Sequence, residues 1–278
     1  MLNSASKEFL NDFSVEVTPK TFFKNREIIQ NLKKNKRVFI AQIEGFKKSD
    51  MLQTAKQIFE DGNIPVPHIP ARQIKDKNEL EDLINIYRSE AGVKEVLLIA
   101  GSNKTPYGNF DSTLQLIETG LFNSGFESIY FAGHPEGNKD IEVSEVGIDA
   151  SLRLKNEFSK ITEAKVILVT QFCFDVDKII SWSKSLLDQG IDLPIHIGVA
   201  GPSKLTSLMK YSLECGVGPS LQILESNFLN IGELVSTYSP NNFINELIQK
   251  IELESNLNIK NIHFYPFGGI KELIKSIN

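Results

Sequence analysis

Short, nearly continuous apolar runs alternate along this chain with longer segments whose apolar positions recur every three or four residues. The runs at 13–17, 37–43, 65–69 and 95–101, and then at 128–133, 165–172, 194–199 and 262–267, are rich in β-branched and aromatic residues and read as eight strands. Runs without polar alternation suit strands covered on both faces, because neither face meets water. Between them lie segments such as SDMLQTAKQIFEDG, NELEDLINIYRSEAG and VDKIISWSKSLLDQG, which carry a helical apolar stripe. The last two close on a glycine, which suits the turn past a helix C-terminus. Strand followed by helix, throughout the chain, predicts parallel strands. With no second composition zone and no low-complexity or Pro/Gly/Ser-rich linker, the pattern predicts an α/β fold, a single (β/α)8 TIM barrel over 1–278, rather than an open doubly wound sheet. The stretch 203–258 is too long for one helix and predicts an extra one between the seventh and eighth strands.

Composition agrees with one large core. The chain has 278 residues, of which 41% are hydrophobic and 23% charged. Thirty Lys and Arg against 35 Asp and Glu give a net charge of -5, so no overall field draws the chain to nucleic acid or an anionic membrane. A small-molecule partner is expected. The opening MLNSASKEFLNDF lacks the apolar core of a signal peptide, and no apolar run approaches the ~20 residues that cross a bilayer; a cytoplasmic protein is expected. Cys173 and Cys215 are too few for a disulfide framework and lack zinc-site spacing, so buried thiols are expected.

In a barrel of this kind, catalytic groups project from the carboxyl ends of strands and the loops that follow. Glu16, between Val15 and Val17 on the first strand, is either a solvated or paired strand-end carboxylate or a general acid whose proton affinity apolar neighbours raise. His68, His134, His196 and His263 fall in or just after strands three, five, seven and eight. Scattered in this way, without a close pair of ligands, they suit hydrogen-bonded structural or ligand-contacting roles better than a metal site. Gln171 ends an otherwise apolar strand, as a satisfied core amide or as a group that donates to and accepts from a ligand. The loops 100–108 and 198–203 hold small residues that allow close backbone approach. No GxxxxGK[ST] loop is present, nor GxGxxG after the first strand, so any nucleotide must bind through barrel loops.

Taken in order, these segments resemble the methylenetetrahydrofolate reductase family from about Asp12 to Gly268. Ser14-Val15-Glu16-Val17-Thr18-Pro19 is similar to the family's Ser-Phe-Glu-Phe-Phe-Pro motif, whose Glu is the catalytic acid, so Glu16 inherits that role. Pro67-His68 resembles the Pro-His pair of strand three, and Ala132-Gly133-His134-Pro135-Glu136-Gly137 the Ala-Gly-Tyr-Pro-Glu motif beside the flavin. Thr170-Gln171-Phe172-Cys173-Phe174-Asp175 is close to Thr-Gln-Phe-Phe-Phe-Asp, in which Gln contacts the pterin; His263-Phe264-Tyr265 matches His-Phe-Tyr of the last strand. The stretch from His196 to Pro202, with Cys215-Gly216-Val217-Gly218, resembles a bacterial branch linked with folate-dependent demethylation.

The resemblance implies an oxidoreductase of one-carbon metabolism that interconverts 5,10-methylenetetrahydrofolate and 5-methyltetrahydrofolate. Reduced folate and NAD(P)H would be its partners, with homo-oligomerisation possible. It implies substrate contacts at Gln171, His196 and Ser102, and cofactor contacts at His68, Ala100, Gly101, Ala132, His134, Glu136, Lys155 and Tyr265. Two departures bear on the cofactor. Ala100-Gly101-Ser102 replaces an Arg-Gly-Asp, and after the kept Leu154-Lys155 a basic pair that meets the diphosphate gives way to Asn156-Glu157. A carboxylate facing a diphosphate is unfavourable. FAD is the implied carrier, and direct hydride passage between NAD(P)H and folate, as in some relatives, is the alternative. Folate-dependent methyl transfer and a non-catalytic folate-binding barrel are the competing functions.

Overall fold

The computed structural model of the protein describes residues 1–32, 34–43, 45–138, 147–214, 237–254, 256–267 and 269–277. Its strands are β1 (Ser14–Val17), β2 (Arg37–Ile40), β3 (Ile64–Pro70), β4 (Glu95–Ile99), β5 (Ser128–Gly133), β6 (Lys165–Phe172), β7 (Ile195–Ala200), β8 (Ser203–Lys204), β9 (Thr237–Tyr238) and β10 (Ile259–Tyr265). Eight of them close into a parallel barrel in the order β1-β10-β7-β6-β5-β4-β3-β2, and β8 and β9 form a separate antiparallel pair. All eight runs read from the sequence are barrel strands. Helices follow them, as the alternation requires. The long segment before the last strand carries two described helices, Leu205–Glu214 and Asn241–Leu253. Among the described residues no helix is long and apolar enough to cross a membrane.

The chain forms two compact units, one of Met1–Phe13, Gly133–Ala150 and Val169–Asn278, the other of Ser14–Ala132 and Ser151–Leu168. In the second, Lys48–Glu60 buries Met51, Thr54, Ala55 and Ile58, the i, i+3, i+4, i+7 stripe of an amphipathic helix. Each apolar side chain fully covered in this way contributes about 1.5–3 kcal/mol relative to exposure. Lys77–Ala91 is opened by Asp76, whose carboxylate accepts from the Glu79 N–H at 3.0 Å, and closed by Gly92 at φ 56°. That left-handed backbone suits glycine.

At the amino ends of these strands lies a buried polar cluster. Glu95, 2% exposed, accepts from Arg37 Nε at 2.9 Å and from the Tyr130 hydroxyl at 2.7 Å. The Tyr130 ring meets Phe39 edge-on at 4.9 Å. Burial, and then the Glu95 charge, push the Tyr130 phenol well above its ordinary pKa, so it stays a donor.

In the first unit, a helix over Ser4–Phe9, capped by Asn3, precedes β1; the sequence reading left it unassigned. Phe13 follows it and packs edge-on against Phe264 of β10 at 5.6 Å. β7 and β10 pair with Ile197 opposite Ile262 and His263 opposite Gly198. Several strand ends differ from expectation by one to three residues, most in β2, β4 and β10. β2 stops at Ile40, leaving Ile43 half exposed; β4 stops at Ile99 because Gly101, at φ 96°, leaves extended backbone; β10 starts earlier, at Ile259.

Candidate functional site

β1 is four residues long, and its third residue is Glu16. Its neighbours Val15 and Val17 are buried, at 1% and 2% exposure, so the strand is anchored by two apolar side chains while Glu16 projects to the other face. The Glu16 side chain stays 19% exposed, and its Oε2 lies 3.2 Å from Nε2 of His68 on β3, a side chain only 9% exposed. The pair has ion-pair distance without hydrogen-bond alignment. A carboxyl group with water access on one side and an imidazole on the other can take up or release a proton at a fixed place. The structure thus brings His68, named from the sequence as a cofactor contact, against the expected acid.

The β6 motif is explained residue by residue within its unit. Thr170 is fully buried; its Oγ1 accepts from the Gly198 N–H at 2.8 Å and its carbonyl accepts from the Tyr265 hydroxyl at 3.0 Å. A Cβ at Gly198 would stand 2.3 Å from the Thr170 carbonyl oxygen, so only glycine lets the two backbones come this close. Gln171, next along, is half-buried near the carboxyl end of β6. Phe172 and Phe174 enter an aromatic cluster with Tyr238, and Tyr211, Tyr265 and Phe267 pack against it. Asp175 caps the helix Val176–Asp188 by accepting from the Lys178 N–H. The Cys173 thiol, buried as expected, donates to Glu136 Oε1 at 3.4 Å, and burial pushes its pKa well up. Gly133 of the Ala-Gly-His-Pro-Glu stretch is required by Trp182, which a Cβ would approach to 2.8 Å. Read from the sequence, Gly198 starts a loop whose small residues allow close backbone approach to a ligand; it lies instead inside β7, and what it approaches is Thr170, whose part beside Gln171 the sequence does not mark. Thr170→Val is expected to cost about 1–3 kcal/mol by removing the acceptor of the Gly198 N–H, which urea unfolding measures.

Tyr265 ends β10 and lies edge-on to fully buried His263 at 4.7 Å. His196 is placed differently from Gln171. It is the second residue of β7, two positions before the Gly198 level that meets Thr170, and is 6% exposed. Two strand residues span about 6.6 Å, so His196 lies about that far along β7 before the Gly198 level. His134, just past β5, is buried and Glu136 half-buried; Cys215, Gly216, Val217 and Gly218 lie outside the described residues.

In the other unit, Ala132 is half-buried in β5, the Ala100 carbonyl accepts from the Arg72 N–H at 2.9 Å, Gly101 follows at φ 96°, and Ser102 is exposed. Lys155 is only 6% exposed, with its ammonium 5.2 Å from the centre of the Phe131 ring. Burial alone lowers its pKa to about 8, with no anion among the described residues to offset it. Glu157 is 64% exposed and pairs with Lys160 at 2.6 Å, so its carboxylate already has a counter-ion. The lowered pKa carries a sign. Between about 8 and the ordinary 10.5 the unfolded chain holds a proton that the folded chain lacks, so stability rises with pH across that window. Lys155→Met is expected to stabilise the ligand-free protein by about 1–3 kcal/mol at pH 7. The gain should shrink by pH 10, as paired denaturant titrations would show.

The segments that follow β2, β3 and β4 border an open cavity of about 440 Å³ lined by Gln42, Ile43, Gly45, Phe46, Lys48, Gln73, Glu79, Asn103 and Tyr107. Neither Glu16 nor His68 lines it. Among the described residues no three His, Cys, Asp or Glu side chains are grouped to hold a metal ion.

Comparison with known proteins separates fold from family. A family model described as methylenetetrahydrofolate reductase matches residues 3–276. Solved structures of similar shape include a protein provisionally assigned as a lyase/mutase from Burkholderia cenocepacia J2315, with a TM-score of 0.51 and 12% identity over 94% of this chain and 79% of that one. The catalytic domain of a mannanase from Streptomyces sp. SirexAA-E gives 0.52 and 12% over 96% and 78%. At such identity these two share the fold alone.

Proposed function

The chain belongs to the methylenetetrahydrofolate reductase family, and on that premise we propose that it is a one-domain oxidoreductase interconverting 5,10-methylenetetrahydrofolate and 5-methyltetrahydrofolate. The observation that carries the reading is the Glu16 carboxyl, partly open to solvent and 3.2 Å from His68 Nε2 near the carboxyl end of β1. Reduction of the methylene bridge requires the five-membered ring to open, which needs a proton on the leaving nitrogen. Glu16 delivers it, and in the oxidative direction takes it back. His68 holds the carboxyl in place. Gln171, with an amide that both donates and accepts, orients the pterin.

Lys155 fits a group that the family generally uses. A buried ammonium with no counter-ion among the described residues suits the diphosphate of a flavin dinucleotide, and Glu157, paired with Lys160, does not oppose it. A bound flavin would supply hydride chemistry, reduced in turn by NAD(P)H.

The test is an anaerobic assay of NAD(P)H oxidation with methylenetetrahydrofolate, alongside a visible spectrum after addition of FAD and gel filtration. Oxidation matched by formation of methyltetrahydrofolate is expected. Retained flavin bands identify the carrier; a colourless but active protein assigns direct transfer from the nicotinamide. Folate binding without NAD(P)H turnover would sink the reductase reading in favour of methyl transfer or binding alone.

A further inference from the structure

The register of the first three strands sets His68 directly over Glu16. Glu16 lies opposite Phe39 of β2, and Phe39 opposite Val66 of β3. His68 is two residues beyond Val66, so it shares the face of Glu16 and stands one level nearer the carboxyl ends. Its Nε2, buried and without a hydrogen-bond partner among the described residues, lies 3.2 Å from Glu16 Oε2. An unpaired buried ring nitrogen is costly, and a small turn of the imidazole directs it at the carboxyl oxygen it already touches.

Charged groups on the flanking elements are engaged elsewhere. On β2 and β4 these are Arg37 and Glu95, which pair with each other at the amino ends, where Glu95 also accepts from the Tyr130 hydroxyl of β5. His68 itself lies opposite Leu97, and Pro67 opposite Ile40. Arg72, past the end of β3, pairs with Asp111. Among the described residues, Glu16 is thus the carboxylate that meets the His68 ring.

Reduction consumes a proton at Glu16, and geometry limits when that proton can arrive. To reach the leaving nitrogen, Glu16 must be covered by the folate on the side it shows to solvent, so the proton has to be aboard before the substrate seats. At pH 7 a glutamic acid of ordinary proton affinity carries a proton in only about one molecule in 500, and an imidazole in about one in four. On the reductase reading, we propose that the proton waits on His68 and passes to Glu16 when folate binds. Excluding water from an imidazolium beside a carboxylate favours the two neutral forms, because two desolvated charges cost more than a neutral acid and a neutral ring. The proton moves from His68 Nε2 to Glu16 Oε2. The Glu16 carboxyl then gives it to the leaving nitrogen as the bond to the methylene carbon breaks, and both electrons of that bond stay on nitrogen. NAD(P)H remains the source of the hydride. His68 acts through Glu16 and is a positioning residue for its proton; solvent reloads the pair after product leaves.

The test is the pH profile of kcat/KM for methylenetetrahydrofolate reduction by the full chain, native and His68→Gln. The glutamine keeps a donor near Glu16 but holds no titrating proton. Native activity should fall as pH rises past neutrality, and in His68→Gln the fall should set in about two pH units lower, the interval between an ordinary imidazole and an ordinary glutamic acid. The variant should therefore lose about 10²-fold at pH 7.5 and less than about tenfold at pH 5. Folate affinity, read by calorimetry, should stay within about threefold. As a second variant, His68→Ala should regain activity at pH 7.5 when free imidazole is added. A His68→Gln profile that keeps the native shape, with any loss uniform in pH, overturns the inference and leaves the reductase reading standing. A native chain without folate turnover overturns both.

Discussion

Glu16→Gln is expected to lower turnover of methylenetetrahydrofolate with NAD(P)H by about 10²–10⁴-fold. The amide has nearly the shape of the carboxyl group and can still face His68 Nε2, 3.2 Å away in the native protein, but it carries no transferable proton. Stability should change by no more than about 0.5 kcal/mol, as for a partly exposed group that keeps its neighbour. The informative readout is a fall in kcat with folate affinity retained, because a proton delivered during ring opening acts in the transition state and not in the ground state. Turnover equal to that of the native chain would remove Glu16 from the chemistry and leave its contact with His68 as structural.

The second large effect concerns stability and lies at the other end of the strands. Glu95→Ala is expected to destabilise the protein by about 3–5 kcal/mol, measured by denaturant unfolding at neutral pH. It leaves the Arg37 guanidinium, only 25% exposed, without its carboxylate, and takes from the Tyr130 hydroxyl the acceptor 2.7 Å away. Tyr130→Phe should cost less, about 1–2 kcal/mol, because it removes the hydroxyl's hydrogen bonds with Glu95 and Ser128 but leaves the Arg37–Glu95 pair intact. If Glu95→Ala proved as stable as the native chain, water entry would have to replace the lost carboxylate, and the buried ion pair would not be a support of this end of the barrel.

Both residues are strand polar groups, and the sequence does not distinguish their roles by itself. Glu16 and Glu95 each sit beside valine in a run of apolar residues. What separates them is position along the strand: Glu95 begins β4 and meets Arg37 at the start of β2, whereas Glu16 lies one residue from the end of β1. The alternation of strand and helix made the carboxyl ends legible as the place for chemistry, and the motif around Gln171 was readable because several residue types recur there in a fixed order. For His196, which the resemblance implies as a substrate contact, the sequence marks the strand but not the depth along it: it is the second residue of β7, which runs on for four residues to Ala200.

By itself the sequence determined the eight strands, their parallel order with helices, and Glu16 and Gln171 as candidate polar groups, because apolar periodicity and local motif are properties of neighbouring residues. Only the tertiary structure decided which side chains meet across strands. The approach of His68 to Glu16, the Thr170 and Gly198 contact behind Gln171, the uncompensated burial of Lys155 beside Phe131, and the amide-lined cavity under Tyr107 each join residues at least 24 positions apart. Such pairings depend on strand register and loop closure, which no local pattern encodes.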